Sequence, residues 1–291
     1  MKLAGLTTRA LAAWAGTDRV AALPDLLPKL VGAPITPGSA LLAMCVGGAT
    51  VPAAWIADLD ALVAAGLVEV EHELARATVA IIPLGRGVMV CDRLDGYIDA
   101  EYVCWPDDSS HHIVNAIPDG RRARWLDLGC GSGFSPLYRP ELAHAITGVD
   151  LNPRAIRYAR LGAELSGIAH LELREADLGE LTGSFELITC NAPIPDQLPG
   201  APMWQTTTPA FFERLFATAQ RCIAPGGLIV IHAVLAAIPR LPGEAILCSY
   251  MPTDEFGVVW WRPDGPARNV LRRRLLTTDR PHLDASDQEP W

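Results

Sequence analysis

The sequence predicts an α/β fold: an open sheet flanked by helices in residues 101–291, preceded by a smaller helical domain in residues 1–100. Three observations carry this. The first is Trp125-Leu126-Asp127-Leu128-Gly129-Cys130-Gly131-Ser132-Gly133-Phe134, an apolar run that passes into glycine at every second position. It reads as a buried strand and a tight turn that opens a helix. Glycine accepts positive φ there and, lacking a Cβ, lets a ligand lie against the backbone. The second is Ala145-Ile146-Thr147-Gly148-Val149-Asp150, a short apolar run closed by an acid 23 positions beyond Asp127. An α/β nucleotide site places a carboxylate at about this separation to accept from ribose hydroxyls. The third is repetition: apolar runs closed by polar or turn residues recur up to about residue 235.

In chain order, Thr7–Ala15, Leu23–Val31 and Ser39–Val46 read as short helices, the last started by Thr36-Pro37. Pro52–Ala65 reads as the clearest helix, with Trp55, Leu59, Leu62 and Val63 on one face and Gly66 as its stop. Strand-like runs follow at Leu67–Val70, Ala77–Pro83 and Gly87–Cys91. Three helices and a hairpin predict a winged-helix-like domain. Its charge opposes nucleic acid. Pro52–Ala65 has no Lys or Arg and carries Asp58 and Asp60, and the wing begins Glu69-Val70-Glu71-His72-Glu73. Residues 1–105 hold seven basic and eleven acidic side chains in a chain of net charge −9. Such a surface repels phosphates. The domain is expected to cover the mouth of an active site, to recognise a substrate, or to pair two subunits as a homodimer.

The α/β units follow. The spacing Gly129-x-Gly131-x-Gly133 departs from the Gly-x-Gly-x-x-Gly of a dinucleotide site. The N–H groups of such a turn face the carboxyl end of the strand, where open α/β sheets bind ligands. Pro136 and Pro140 predict a short or broken helix after the turn. Beyond Asp150, Asn152 is positioned to cap a helix with Pro153 as its first residue, and Ile156, Ala159, Ala163 and Leu165 recur at near-helical spacing. A third unit ends at Glu175-Ala176-Asp177-Leu178, a fourth at Asn191-Ala192-Pro193-Ile194-Pro195, and a fifth runs Pro225-Gly226-Gly227-Leu228-Ile229-Val230-Ile231-His232. Ala245–Tyr250 and Val258–Trp261 are strand-like and complete the sheet.

At these residues the chain resembles the class I S-adenosylmethionine-dependent methyltransferases. The motifs Asp127-Leu128-Gly129-Cys130-Gly131-Ser132-Gly133, Gly148-Val149-Asp150, Ala176-Asp177-Leu178, Asn191-Ala192-Pro193-Ile194 and Pro225-Gly226-Gly227 stand in the family's order across residues 105 to about 235. The resemblance implies a Rossmann-like, seven-stranded sheet, with S-adenosylmethionine as cofactor and S-adenosylhomocysteine as product. It implies that Gly129, Gly131 and Gly133 cradle the methionine part, that Asp150 binds the ribose, and that Asp177 and Leu178 bracket the adenine. Asp127, Cys130, Leu151 and Asn191 complete the implied cofactor contacts. Asn191-Ala192-Pro193-Ile194 is similar to the Asn-Pro-Pro-Tyr motif of amino-group methyltransferases, among them the HemK-type glutamine enzymes and the small-domain ribosomal-RNA guanine enzymes. Trp105-Pro106-Asp107-Asp108 is similar to the Arg-Pro-Asp-Thr segment of the HemK type. In that family the Asn side chain and the next backbone carbonyl accept from a planar NH₂ group, which makes Asn191, Ala192 and Pro193 the implied catalytic residues. Ala192 and Ile194 depart from the pattern, and Ile194 removes the aromatic that packs on a flat acceptor.

The implied activity is N-methylation of a small metabolite or a protein side chain. The alternatives are O- or C-methylation, or a non-catalytic cofactor-binding or regulatory protein. Asp107, His111, Ile194 and Trp204 are the candidate substrate residues, Trp204 because its loop follows Asn191 and offers the flat surface that Ile194 lacks. No metal is expected: the side chains of His111-His112 diverge, and no third ligand is evident. Seven cysteines without a Cys-x-x-Cys pair read as buried free thiols in a reducing cytoplasm. No apolar run approaches the roughly 18 residues of a membrane span, and the N-terminus lacks a signal-peptide core. Arg272-Arg273-Arg274, with Arg268 and Arg280, reads as a solvated face or as an attractor of an acidic acceptor.

Overall fold

A computed structural model describes residues 3, 5–17, 20–85, 87–96, 98–193, 209–249, 255–273 and 289–290. Two compact units are present. One comprises residues 1–108, 131–138 and 154–169; the other comprises 109–130, 139–153 and 170–291.

The first unit begins with α1 (Thr8–Ala15), α2 (Leu23–Gly32) and α3 (Ala40–Cys45). Thr7 caps α1 by accepting the Ala10 N–H at 3.1 Å. There follow β1 (Val51–Pro52), α4 (Leu59–Ala64), β2 (Val68–Glu71) and β3 (Leu74–Ala77), with the three strands in the order β1-β3-β2. The helix expected over Pro52–Ala65 is therefore not continuous. Val51 and Pro52 pair with Ala75 and Leu74, a 3₁₀ turn occupies Ala53–Trp55, and Asp58 adopts a left-handed φ of 56° before α4 starts. Trp55 and Val63 are exposed, and within α4 only Leu62 is buried. The run expected as one strand over Ala77–Pro83 divides at Thr78-Val79. β3 pairs back to β2, while β4 (Ala80–Leu84) forms a separate hairpin with β5 (Gly87–Cys91). Buried Arg93 ties this region together by donating to the carbonyls of Gly48 and Ala77 and to Asp95.

The second unit is built on one sheet. α5 (Asp108–Ala116) leads into β6 (Arg122–Leu128); α6 (Phe134–Tyr138), β7 (Ala143–Asp150), α7 (Pro153–Ser166), β8 (Leu171–Glu175) and β9 (Phe185–Asn191) follow in the chain. Then come α8 (Pro209–Cys222), β10 (Ile223–Val234), β11 (Glu244–Ser249), β12 (Phe256–Arg262), β13 (Arg268–Arg273) and β14 (Glu289–Pro290). α6 is one short turn of helix followed by a 3₁₀ turn at Pro140–Leu142, as Pro136 and Pro140 require. α6 and α7 belong to the first unit. There Ser166 Oγ accepts the Val88 N–H at 2.9 Å, and a Cβ on Gly162 would lie 2.8 Å from Leu137 Cδ1.

The sheet order is β14-β13-β11-β12-β10-β9-β6-β7-β8. β6, β7, β8, β9 and β10 run parallel, and β12 lies antiparallel between β10 and β11. The first of the parallel strands is thus central, and the order reverses between β6 and β9, the switch point at which open α/β sheets bind ligands. Among the described residues the sheet has nine strands, where seven were expected. Arg268–Arg273 pairs in parallel with β11 and buries Val270 and Leu271, so Arg268, Arg272 and Arg273 are part of the sheet and Arg272 is buried rather than solvated, while Arg274 and Arg280 lie outside the described residues.

Alternation sorts the two faces. Leu126, Leu128, Ile188, Cys190, Ile229, Ile231, Val259 and Trp261 pack with Phe212, Leu215, Phe216 and Ala219 of α8. Trp125, Asp127, Thr189, Asn191, His232 and Trp260 therefore point to the opposite face. There the buried Trp260 indole donates to the Ala116 carbonyl at 2.7 Å and fixes the end of α5. Trp260→Phe keeps most of the ring and strands that carbonyl, which should lower unfolding stability by about 1–3 kcal/mol in urea titration; an unchanged transition midpoint would show that the bond does not anchor α5.

Candidate functional site

The turn after β6 carries the glycines in the conformation that their spacing implies. Gly129, Gly131 and Gly133 have φ of 63°, 54° and 82°, all left-handed. A Cβ on Gly129 or Gly131 would meet no heavy atom within 4 Å. What glycine provides there is backbone conformation and an open surface. Gly148 of β7 serves a different need: a Cβ there would lie 2.9 Å from Leu173 Cδ2 and 3.1 Å from Cys130 Sγ. The turn is held down where Cys130 N–H donates to the Val149 carbonyl at 2.9 Å.

Asp127 lies directly before this turn, 3% exposed. The Trp125 indole N–H donates to Thr189 Oγ1 at 2.7 Å, and the Thr189 hydroxyl donates to Asp127 Oδ1. A chain of two hydrogen bonds thus crosses from β6 to β9 at the switch point. Burial pushes the Asp127 carboxyl up to about 7; the charge of Asp150 adds to the rise and the Thr189 hydroxyl opposes it. Burial also raises the thiols of Cys130 and Cys190, with the two carboxylates adding to the effect. Neither cysteine is therefore a thiolate nucleophile. Six of the seven cysteines are buried and free as expected, whereas Cys104 is exposed.

The strand ends bring the remaining residues to one edge. Asp150 closes β7, pairs in register with Glu175, and accepts the Asn152 N–H at 2.8 Å. α7 starts at Pro153. Leu151 follows Asp150 and is half-buried. Asp177 caps the 3₁₀ turn Leu178–Glu180 by accepting the Gly179 N–H at 2.7 Å, and it is also bonded to Arg214 of α8. The Arg214 guanidinium is the main reason that the Asp177 carboxyl is held below its usual range. The Leu178 carbonyl accepts from Thr218 at 3.0 Å.

Asn191 closes β9. Its Nδ2 donates to Ser109 Oγ, in the first turn of α5, at 2.9 Å. Asn191 pairs in register with His232 of β10, and the Ala192 N–H donates to the His232 carbonyl at 2.9 Å. The Asn191 side chain and the backbone at Ala192-Pro193 are thereby fixed at the carboxyl end of a central strand. His232 is buried and stacks on Phe256, with ring centroids 6.2 Å apart and an interplanar angle of 6°. Asp107 immediately precedes α5, and His111 lies within it, two residues beyond Ser109. Ile194 and Trp204 lie outside the described residues.

Four residues were not singled out by the sequence. His232 had a visible signal, since it is a polar residue inside an otherwise apolar strand. Ser109 sits between Asp107-Asp108 and His111-His112. Thr189 and Arg214 had no local signal, because their partners are 62 and 37 residues away. Among the described residues, no group of three or more His, Cys, Asp or Glu is arranged to hold a metal, and no helix is long and apolar enough to cross a membrane.

Residues 120–253, a little under half of the chain, match the family model described as a methyltransferase domain. The chain is 26% identical over 131 residues to the ribosomal RNA small subunit methyltransferase C of Chromohalobacter salexigens, covering 44% of this chain and 37% of that protein. It is 28% identical over 139 residues to the trans-aconitate 2-methyltransferase of Deinococcus radiodurans, covering 44% and 48%. Among solved structures, the N-methyltransferase NodS from Bradyrhizobium japonicum aligns at 16% identity and a TM-score of 0.38, covering 53% of this chain and 92% of that one. The chain spans less than half the length of the two curated relatives. Residues 120–253 are thus similar to a methyltransferase domain. The open backbone at Gly129 and Gly131 and the carboxylate of Asp150 fit S-adenosylmethionine as the cofactor.

Asp127 generates a pH signature. Its carboxyl titrates near 3.8 when unfolded and near 7 when folded. The folded state therefore binds more protons between these values, and stability falls as pH rises through that window. Asp127→Asn removes the titration, so the melting temperature of the variant relative to the parent should climb from pH 4 to pH 7 and level off above. A difference independent of pH in differential scanning calorimetry would contradict the burial argument.

Proposed function

We propose that this protein transfers the methyl group of S-adenosylmethionine to a nitrogen of a small metabolite or of a protein side chain. The observation that carries this is the placement of Asn191-Ala192-Pro193 at the carboxyl end of β9, beside the switch point, with the Ala192 N–H already held by His232. With that N–H occupied, the acceptor atoms of this segment are Asn191 Oδ1 and the Ala192 carbonyl.

When bound, S-adenosylmethionine supplies a methyl group activated by positively charged sulfur, and S-adenosylhomocysteine is the product. The work of the chain is placement. Gly129, Gly131 and Gly133 cradle the methionine part; Asp150 holds the ribose, with Leu151 beside it; Asp177 and Leu178 bracket the adenine. Asp127 and Cys130 support the turn from beneath. Asn191 Oδ1 and the Ala192 carbonyl accept from the acceptor's N–H groups and orient its lone pair along the C–S bond. They also stabilise the nitrogen as it becomes more positive. With the cofactor bound, the nitrogen lone pair so oriented would take the methyl group, and the proton given up by the methylated nitrogen would pass to solvent. Asp107 and His111 flank the acceptor.

One relative is named for ribosomal RNA and another for trans-aconitate. A net charge of −9 opposes an acceptor that presents phosphates. Residues 1–100 are proposed as a winged-helix-like domain that serves acceptor recognition or subunit pairing. The order α3, β1, α4, β2, β3 and the strand order β1-β3-β2 support this. Buried free thiols fit a reducing cytoplasm.

The test is transfer of labelled methyl from S-adenosylmethionine across amines, amides, carboxylates and phenols. An amine or amide should accept. Asn191→Ala should then lower turnover by about a hundredfold or more while leaving cofactor affinity nearly unchanged. Turnover that survives Asn191→Ala, or label found only on carboxylates or phenols, would overturn the amino-acceptor reading.

A further inference from the structure

We infer that Ser109 is a positioning residue: its hydroxyl holds the Asn191 amide in the orientation that presents Oδ1, rather than NH₂, to the acceptor. The inference rests on the reading of Asn191 as the acceptor-binding group.

A primary amide has two nearly isosteric ends of opposite character, a donor NH₂ and an acceptor oxygen. Rotation by a half-turn exchanges them at almost no steric cost. An Asn that accepts from a substrate N–H therefore needs something that distinguishes its ends. The backbone cannot do this. In-register pairing with His232 and the Ala192 N–H bond to the His232 carbonyl fix where the side chain starts, not which way its amide faces. The element that meets the amide is α5, where Ser109 Oγ lies 2.9 Å from Asn191 Nδ2. α5 is in turn fixed to the sheet at its other end by the 2.7 Å bond from Trp260 to the Ala116 carbonyl. The two ends of this nine-residue helix thus divide the roles, since one docks the helix and the other sets the amide. Ser109 is half-buried, so water competes for the bond less than it would at an open surface.

The chain contains four asparagines, so a protein labelled with ¹⁵N-asparagine gives four side-chain NH₂ pairs, and the one lost in Asn191→Asp is that of Asn191. In the parent protein this pair should be shifted to low field and exchange slowly with solvent. Ser109→Ala should return it to the solvent-exposed position, and Ser109→Thr should keep it in place. With the amine or amide found in the acceptor panel, Ser109→Ala should lower kcat about tenfold with cofactor affinity and melting temperature unchanged, and Ser109→Thr should restore it. An Asn191 pair that does not move in Ser109→Ala would overturn the inference, since the orientation of the amide would then not depend on the hydroxyl. A loss confined to melting temperature or cofactor affinity would overturn it as well. If Asn191→Ala leaves turnover intact while the NH₂ pair still responds to Ser109→Ala, the fault lies in the acceptor-binding reading and not in the hydrogen bond.

Discussion

Parallel pairing of β6 with both β7 and β9 is the constraint on which the rest depends. Register along these strands puts Asp127 opposite Thr189 and Gly148, and it carries across to β10, where Asn191 stands opposite His232. In parallel strands all chain ends of one sense fall on one edge. Residues that close separate apolar runs are therefore brought together without any local interaction between them. Because the chain changes direction on either side of β6, this edge opens between β6 and β9, where the glycine turn emerges.

A site placed this way sits over a buried polar layer. Trp125, Thr189 and Asp127 form a hydrogen-bonded chain within the sheet's interior, and the same burial that orders it makes the Asp127 carboxylate costly to ionise. A fully apolar sheet would avoid that cost. Here the polar chain joins the strand that carries the glycine turn to the strand that carries Asn191, so the two halves of the candidate site are tied by directional bonds as well as by packing. On the same face Ser109 and Trp260 connect α5 to the sheet at both ends.

The sequence was most legible where local chemistry and global fold require the same residues. Glycine at 129, 131 and 133 is needed for left-handed φ wherever the strand lies, and an acid closing an apolar run marks a strand end before any partner is known. Pro136 and Pro140 announced the short α6. Legibility failed where tertiary pairing decides. Pro52–Ala65 has helical periodicity, but Val51-Pro52 is drawn into a sheet with β3, and Asp58 breaks what remains. Arg268–Arg273 looked like a charged surface because its pairing with β11 leaves no trace in its own composition. The partners of Asp127, Asp177 and Asn191 are side chains 37 to 82 residues away, and only the folded sheet brings them within bonding distance.

The central claim is that this edge of the sheet is an S-adenosylmethionine site. Calorimetric titration of the purified protein with S-adenosylmethionine, S-adenosylhomocysteine and NAD tests it most directly. The account predicts stoichiometric binding of the first two with micromolar dissociation constants, weakened in Asp150→Ala, and no heat with NAD. Binding of NAD, or affinity for S-adenosylmethionine that does not change in Asp150→Ala, would contradict it.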